Sequence, residues 1–334
     1  MLKPPPGMPD DAYAFWIAAP GRGEIRRESL SPPDAEGVVV RTLYSGVSRG
    51  TESLVFHGHV PVEEYQRMRA PFQAGHFPFP VKYGYASVGV VEQGHPALVG
   101  RTVFALYPHQ TRYVIPDSAA HLIPEGVPAR RAILAANLET AVNAVWDAAV
   151  VPGSRVAVVG GGAVGCLVAW LVGRIPGCEV ELVDVRPARQ ATAASLGVRF
   201  AYPAGATWDT DVVFHASATP AGLATAVRLA GVESTVVELS WYGDTMVPAP
   251  LGGAFHSRRL VLKASQVGHV APALRPRWTH DRRLELALSL LTDPALDALI
   301  SDECPFEALP DLMPSILGGG GDVLCHAVRY GAAT

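Results

Sequence analysis

Apolar and polar residues alternate in short runs through residues 13–124, then in longer blocks after residue 150. That change of rhythm divides the chain. In the first stretch, 37–44, 86–92, 101–107 and 112–115 are β-rich runs broken by Gly and Pro, which predicts an all-β, barrel-like domain. Residues 125–150 hold a helical stretch, ARRAILAANLETAVNAVWDAA, that bridges the two halves of the chain. From Ser154 to about Gly268 strands and helices take turns. Strands are expected at 156–159, 179–183, 211–214, 234–239 and 259–264, and helices at 163–175, 186–196 and 220–230. Such alternation predicts a doubly wound parallel α/β sheet. The tail, 275–334, holds a helix at 281–291, a short helix at 306–317 and a strand at 323–330. It is too small to fold alone, so it is expected to return to the first domain. A turn is expected at Gly318–Gly321.

The most specific chemistry lies at VAVVGGGAVG, residues 156–165. Gly160, Gly162 and Gly165 match G-x-G-x-x-G between a β-branched strand and an apolar helix that opens at Ala163 and Val164. The first glycine allows a tight turn, the second lets a pyrophosphate approach the backbone, and the third lets helix and strand pack closely. A diphosphate would rest on free N–H groups at the helix N-terminus. Asp184 follows Gly165 by nineteen residues, at the end of the second strand. A carboxylate there accepts ribose hydroxyls and repels a 2′-phosphate, which favours NAD(H) over NADP(H). Arg186 and Arg189 follow it. They either stack on adenine or sit at the surface, and an arginine there can also pair with a 2′-phosphate.

The stretch 156–173 is uncharged and long enough to suggest a membrane span. Three consecutive glycines at its centre make strand–turn–helix the better reading, so no span is expected. A hydrophobic content of 49% with 17% charged residues describes a globular chain, and a net charge of −4 gives no case for nucleic-acid binding. Four cysteines without a CxxC pair read as reduced thiols in the cytoplasm. The opening MLKPPPGMPDD has no apolar signal core.

A β-rich front domain, a dinucleotide-type centre and a returning tail resemble the medium-chain dehydrogenase/reductase superfamily, of the alcohol dehydrogenase type. SGVSRGTE (45–52), VKYGYASVGVV (81–91), VELSWYGD (237–244) and GDVLCHAVRY (321–330) look most like its bacteriochlorophyllide a dehydrogenase-like branch. The resemblance implies a GroES-like catalytic domain of residues 1–124 and 275–334, and a Rossmann NAD(P)-binding domain of residues 125–274. It also shows departures. Where zinc members carry their cysteine ligand this chain has Ser48 or Arg49; the histidine ligand falls on Tyr85 and the third on Ala136. Neutral hydroxyls are poor zinc ligands, so no metal is expected. The weaker case for a metal would recruit Glu52, Glu139 and His57.

Without a Lewis acid, polar side chains must handle the reacting oxygen. The resemblance puts Thr51 at the position of a proton-relay hydroxyl and directs Tyr85 at the same point. Tyr85 is then a hydrogen-bond donor or general acid and Thr51 a relay, while Arg49 stabilises an oxyanion or binds the diphosphate. The plainer readings stay open: Tyr85 as buried packing, Thr51 as a helix cap, Arg49 as a surface charge. Thr140 faces the nicotinamide by resemblance or bonds its own backbone. Ser240 and Trp241 follow the fifth strand, at the edge where such sheets bind ligands. His57 and His59 flank Gly58 in a turn; at i and i+2 they would sit on opposite faces of a strand, so joint ligation of a metal is not expected and one or both are expected to be solvated. Arg275, Arg277, Arg282 and Arg283 read as a solvated helix face.

These observations lead to a zinc-independent, NAD(H)-linked oxidoreductase acting on a bulky secondary alcohol or ketone. A quinone or enoyl reductase is one alternative, and a non-catalytic dinucleotide-binding sensor or structural protein another. The loop 61–85, rich in Tyr, Phe, Met and Pro, either walls a wide apolar pocket or covers the barrel. A homodimer is expected through the edge strand 259–264, with Leu260, Leu262 and Ala264 on one face.

Overall fold

The structure, a computed structural model, describes residues 11–318 and 321–331. Most of the N-terminal stretch MLKPPPGMPDD and part of the Gly318–Gly321 turn lie outside them. The chain divides into two compact units, Met1–Ile133 with Asp302–Thr334, and Leu134–Ser301.

The spine of the first unit is the strand Gly37–Ser48, which pairs antiparallel with Ser87–Gln93, Arg112–Pro116 and Cys325–Arg329. The run expected at 37–44 continues four residues further because Tyr44 to Ser48 pair with the C-terminal strand. The tail thus returns to the front unit through its last strand. Val38, Val40, Val91, Val103, Tyr113 and Ile115 fill the core between these strands. Each such side chain contributes roughly 1.5–3 kcal/mol by leaving water. A second sheet places Arg22–Ser29, Asp11–Ala19, Val81–Lys82 and Ala74–Gly75 side by side.

The second unit holds six parallel strands in the order Arg199–Ala201, Glu179–Val183, Arg155–Val159, Thr210–His215, Ala230–Glu238, Val261–Ala264. Numbered from the first of them in sequence, that order is 3-2-1-4-5-6, the Rossmann arrangement, which reverses direction beside Arg155–Val159. All but one residue of that strand and of Glu179–Val183 are buried, as the unbroken apolar runs require. No helix among the described residues is long and apolar enough to cross a membrane.

The helix His280–Leu290 belongs to this second unit, where it packs on the helix Ala135–Ala148. The reason is Arg283, only 1% exposed. Its Nε donates to Glu139 Oε1 at 3.0 Å, and its other nitrogens reach Asn143 Oδ1 and the carbonyl of Val267. The reading of Arg283 as part of a solvated face therefore fails: it is a buried ion-pair partner. The same bond engages Glu139, one of the residues considered for a metal.

Candidate functional site

In the second unit Gly160 and Gly165 make the tight turn and the close helix packing their spacing predicts. Gly160 has φ of +108°, and a Cβ there would lie 2.6 Å from the backbone nitrogen of Ser217. A Cβ on Gly165 would stand 1.9 Å from the carbonyl oxygen of Gly160, so only glycine lets the helix Ala163–Val172 approach this closely. Gly162 is exposed, and a Cβ on it would meet nothing within 4 Å. It leaves an open face at the start of the helix, with Ala163 and Val164 half-buried behind it. No side chain caps that helix end. An uncapped N-terminus beside bare backbone is what an anionic diphosphate needs.

Asp184 borders the same turn. Its Oδ2 accepts from the Gly161 N–H at 2.6 Å and its Oδ1 from the Arg186 N–H at 2.8 Å, which aims the carboxylate and leaves further lone pairs for a ligand. Arg189 is buried rather than at the surface, and its aliphatic stem packs against Gly161. Arg186 is half-buried. Ser240 and Trp241 follow the strand Ala230–Glu238; the Ser240 N–H donates to Glu238 Oε1 at 2.8 Å and its hydroxyl accepts from the Ala218 N–H at 3.0 Å. The Thr140 hydroxyl donates to the carbonyl of Ala136, one helical turn back, at 3.0 Å.

In the first unit, Ser48 ends the long strand and the helix Arg49–His57 begins at once, so Ser48 and Thr51 share one corner. Both hydroxyls stand near enough to the Tyr85 hydroxyl to favour its ionised form. Thr51 lies inside that helix, which no side chain caps. Burial pushes the Tyr85 phenol well above its ordinary value and the charge of Glu52 adds to this, outweighing the two hydroxyls. A phenol so raised stays protonated at neutral pH, which makes it a hydrogen-bond donor and a poor proton source. Arg49 reaches the carbonyl of Val323 at 3.1 Å. Phe77 is buried and packs its ring near those of Tyr65 and Tyr83, at 5.7 and 5.9 Å, so it belongs to the barrel's cover. His57 and His59 are both exposed on either side of a turn at Gly58, as expected, but they do not point to opposite faces of a strand. Gly58, at φ of +79°, ends the helix between them and their rings stack 6.2 Å apart.

Behind Tyr85 lies a network that the sequence does not announce. Glu52, only 2% exposed, accepts from the Ser48 N–H at 2.7 Å and from His109 Nε2 at 2.9 Å. With that nitrogen donating, His109 Nδ1 accepts from the Ser45 hydroxyl at 2.7 Å, which in turn meets the Tyr330 hydroxyl at 2.8 Å. Gly84, just before Tyr85, makes room: a Cβ there would stand 3.1 Å from the His109 ring.

No protein-family model matches the chain. Its fold matches several solved structures. L-idonate 5-dehydrogenase of Escherichia coli K-12 superposes with a TM-score of 0.78 at 15% identity, covering 96% of this chain and 98% of that one. A protein described as a short chain alcohol dehydrogenase of Escherichia coli CFT073, complexed with NADH, matches at 0.75 and 16% identity over 96% and 100%. Benzyl alcohol dehydrogenase of Acinetobacter calcoaceticus matches at 0.75 and 14% identity over 96% and 99%. The fold is the one these dehydrogenases share.

A zinc ion does not fit the donors at the positions where the resemblance would put its ligands. Ser48 and Tyr85 offer neutral hydroxyls, Ala136 offers nothing, and Glu52 already serves the Ser48 N–H and His109. Among the described residues no three His, Cys, Asp or Glu side chains gather in a way that could hold a metal. A dinucleotide does fit: the open backbone at Gly162, the uncapped helix and the aimed carboxylate of Asp184 match its diphosphate and ribose.

Proposed function

We propose that this chain is an NAD(H)-linked oxidoreductase that interconverts a bulky secondary alcohol and its ketone without zinc. The observation that carries the proposal is the Gly160–Gly165 turn with the Asp184 carboxylate fixed on the Gly161 N–H. A bound nicotinamide supplies the hydride acceptor or donor. Gly162 and the helix N-terminus hold the diphosphate, and Asp184 takes the ribose hydroxyls and disfavours a 2′-phosphate. Tyr85 donates a hydrogen bond to the substrate oxygen and so stabilises the negative charge that grows there, while Ser48 and Thr51 orient the phenol. Tyr83 meets Tyr85 edge-on at 6.0 Å, and the preference for a bulky substrate rests on the resemblance alone, since Phe77 packs into the barrel's cover.

Fluorescence titration should show NADH binding more tightly than NADPH, with the gap narrowed by Asp184→Ala; equal or reversed affinities would remove the basis of the cofactor assignment. Turnover of bulky aromatic ketones, with the alcohol as product, is expected. Saturation of a C=C bond instead would mark an enoyl reductase. We also propose a homodimer through the strand Val261–Ala264, the sheet's open edge. Leu260 is buried there, whereas Val261 and Leu262 are exposed, so the apolar edge differs from the alternating face expected. Light scattering at micromolar concentration should give twice the chain mass.

A further inference from the structure

At the carboxyl end of the parallel sheet three side chains meet that the hydride reaction does not use. The register of the strands Thr210–His215 and Ala230–Glu238 sets His215 directly beside Glu238. Glu238 Oε2 lies 2.7 Å from His215 Nδ1, and His215 Nε2 lies 2.7 Å from the Ser217 hydroxyl. The carboxylate is held ionised. Burial works to raise its pKa, but the hydrogen bond from His215, with the N–H and hydroxyl of Ser240, holds it below the ordinary value. Tyr242 adds a hydrogen bond to the same oxygen at 3.1 Å. An ionised Glu238 fixes the proton of His215 on Nδ1 and leaves the Nε2 lone pair facing Ser217. That is the tautomer a general base needs.

The surroundings are built for this contact. A Cβ on Gly222 would stand 1.9 Å from the Ser217 hydroxyl oxygen and 2.7 Å from His215 Nε2, so only glycine lets the helix Pro220–Leu229 close over the pair. Ser217 also rests against Gly160 on its other side. The next residue, Ala218, takes a φ of +53°, a left-handed conformation rare for alanine, and is tethered by its N–H to the Ser240 hydroxyl at 3.0 Å. Thr219 accepts the Gly222 N–H at 3.0 Å and lies 3.0 Å from the Ser217 hydroxyl; with the serine proton directed to His215, Thr219 is free to donate to Ser217. His215 is fully buried, Ser217 is half-buried, and Ala218 and Thr219 are exposed. The base is shielded and the hydroxyl sits at the surface.

We propose that Ser217 is an activated nucleophile, with His215 as its general base and Glu238 as the positioning residue, and that it takes the acyl group of small carboxylic esters. The Ser217 oxygen bonds to the ester carbonyl carbon as its proton passes to His215 Nε2. The carbon–oxygen bond to the alcohol then breaks, and the alcohol departs with that proton. Water attacks the acyl-serine, giving one proton to Nε2; the carboxylic acid leaves and Ser217 recovers its proton. The net reaction is ester plus water to acid plus alcohol, with no oxidation.

Full-length protein is treated with an ethoxy fluorophosphonate and the adduct mapped by peptide mass, alongside release of nitrophenol from p-nitrophenyl acetate. A single adduct on Ser217 is expected, with nitrophenol release above the buffer rate. Ser217→Ala should abolish both, and His215→Gln should slow labelling by about 100-fold. Glu238→Gln should slow it comparably and Glu238→Asp restore part of the rate, a rank order that loss of packing alone would not produce. An unlabelled Ser217 in the wild-type protein, or a release rate equal in wild type and Ser217→Ala, would overturn the proposal and leave the three residues as a structural network. Should Ser217→Ala not fold, the mapped wild-type adduct decides alone.

Discussion

The two candidate sites of this chain are made of different materials. In the second unit, the turn at Gly160–Gly165 is mostly backbone: its shape comes from residues that lack a side chain, and only Asp184 comes from another strand. In the first unit, the cluster is mostly side chain, and Ser45, Ser48, Glu52, Tyr85, His109 and Tyr330 converge from distant parts of the sequence. A backbone site tolerates neighbours that change but no added carbon atom. A side-chain network fails when any one member is removed, because the rest are buried and lose a partner.

That contrast is testable by removing one group from each. The largest effect is expected from Glu52→Ala. It strips the acceptor from His109 and from the Ser48 N–H, and should cost about 1–3 kcal/mol for each orphaned donor. A melting temperature within a degree of wild type would contradict the network. Gly165→Ala should cost about 1–3 kcal/mol, since its Cβ would collide with the Gly160 carbonyl, and should abolish NADH binding even where the protein stays folded. Retained NADH affinity in that variant would separate the turn from the cofactor.

Legibility divides the same way. The glycine turn and Asp184 could be read because local spacing alone defines them. Five of the six parallel strands could be read because their apolar runs are nearly continuous, with ends shifted by up to a few residues; the three-residue strand Arg199–Ala201 was missed. His109 carried no signal: it stands in LYPHQT, and nothing there points to Glu52, which lies 57 positions away. Ser217 and His215 were equally silent, since their partner Glu238 arrives only through strand register. Arg283 was misread because its charge suggests solvent, and only the fold brings Glu139 to it. Thr51 and Tyr85 were singled out only through the positions the resemblance gave them, with no local signal of their own.

A smaller effect concerns acid. His326, 3% exposed on the strand Cys325–Arg329, has no hydrogen-bond partner for either ring nitrogen among the described residues. Burial lowers its pKa, against the pull of Asp302 and Glu303 and with a small push from His109. The unfolded chain therefore takes up this proton first, and stability should be full above about pH 6.5 and fall as pH drops below it. His326→Leu should flatten that limb of the pH–stability curve. An unchanged slope would assign the acid sensitivity elsewhere.

The most direct measurement is the pair of constants kcat and Kd for NADH in Tyr85→Phe, taken on one bulky ketone. If backbone in one unit binds the cofactor and hydroxyls in the other serve the substrate oxygen, kcat falls about 100-fold. The Kd should move by less than about twofold. A Kd that weakens in step with kcat, or a kcat unchanged by loss of the phenol hydroxyl, would contradict that division.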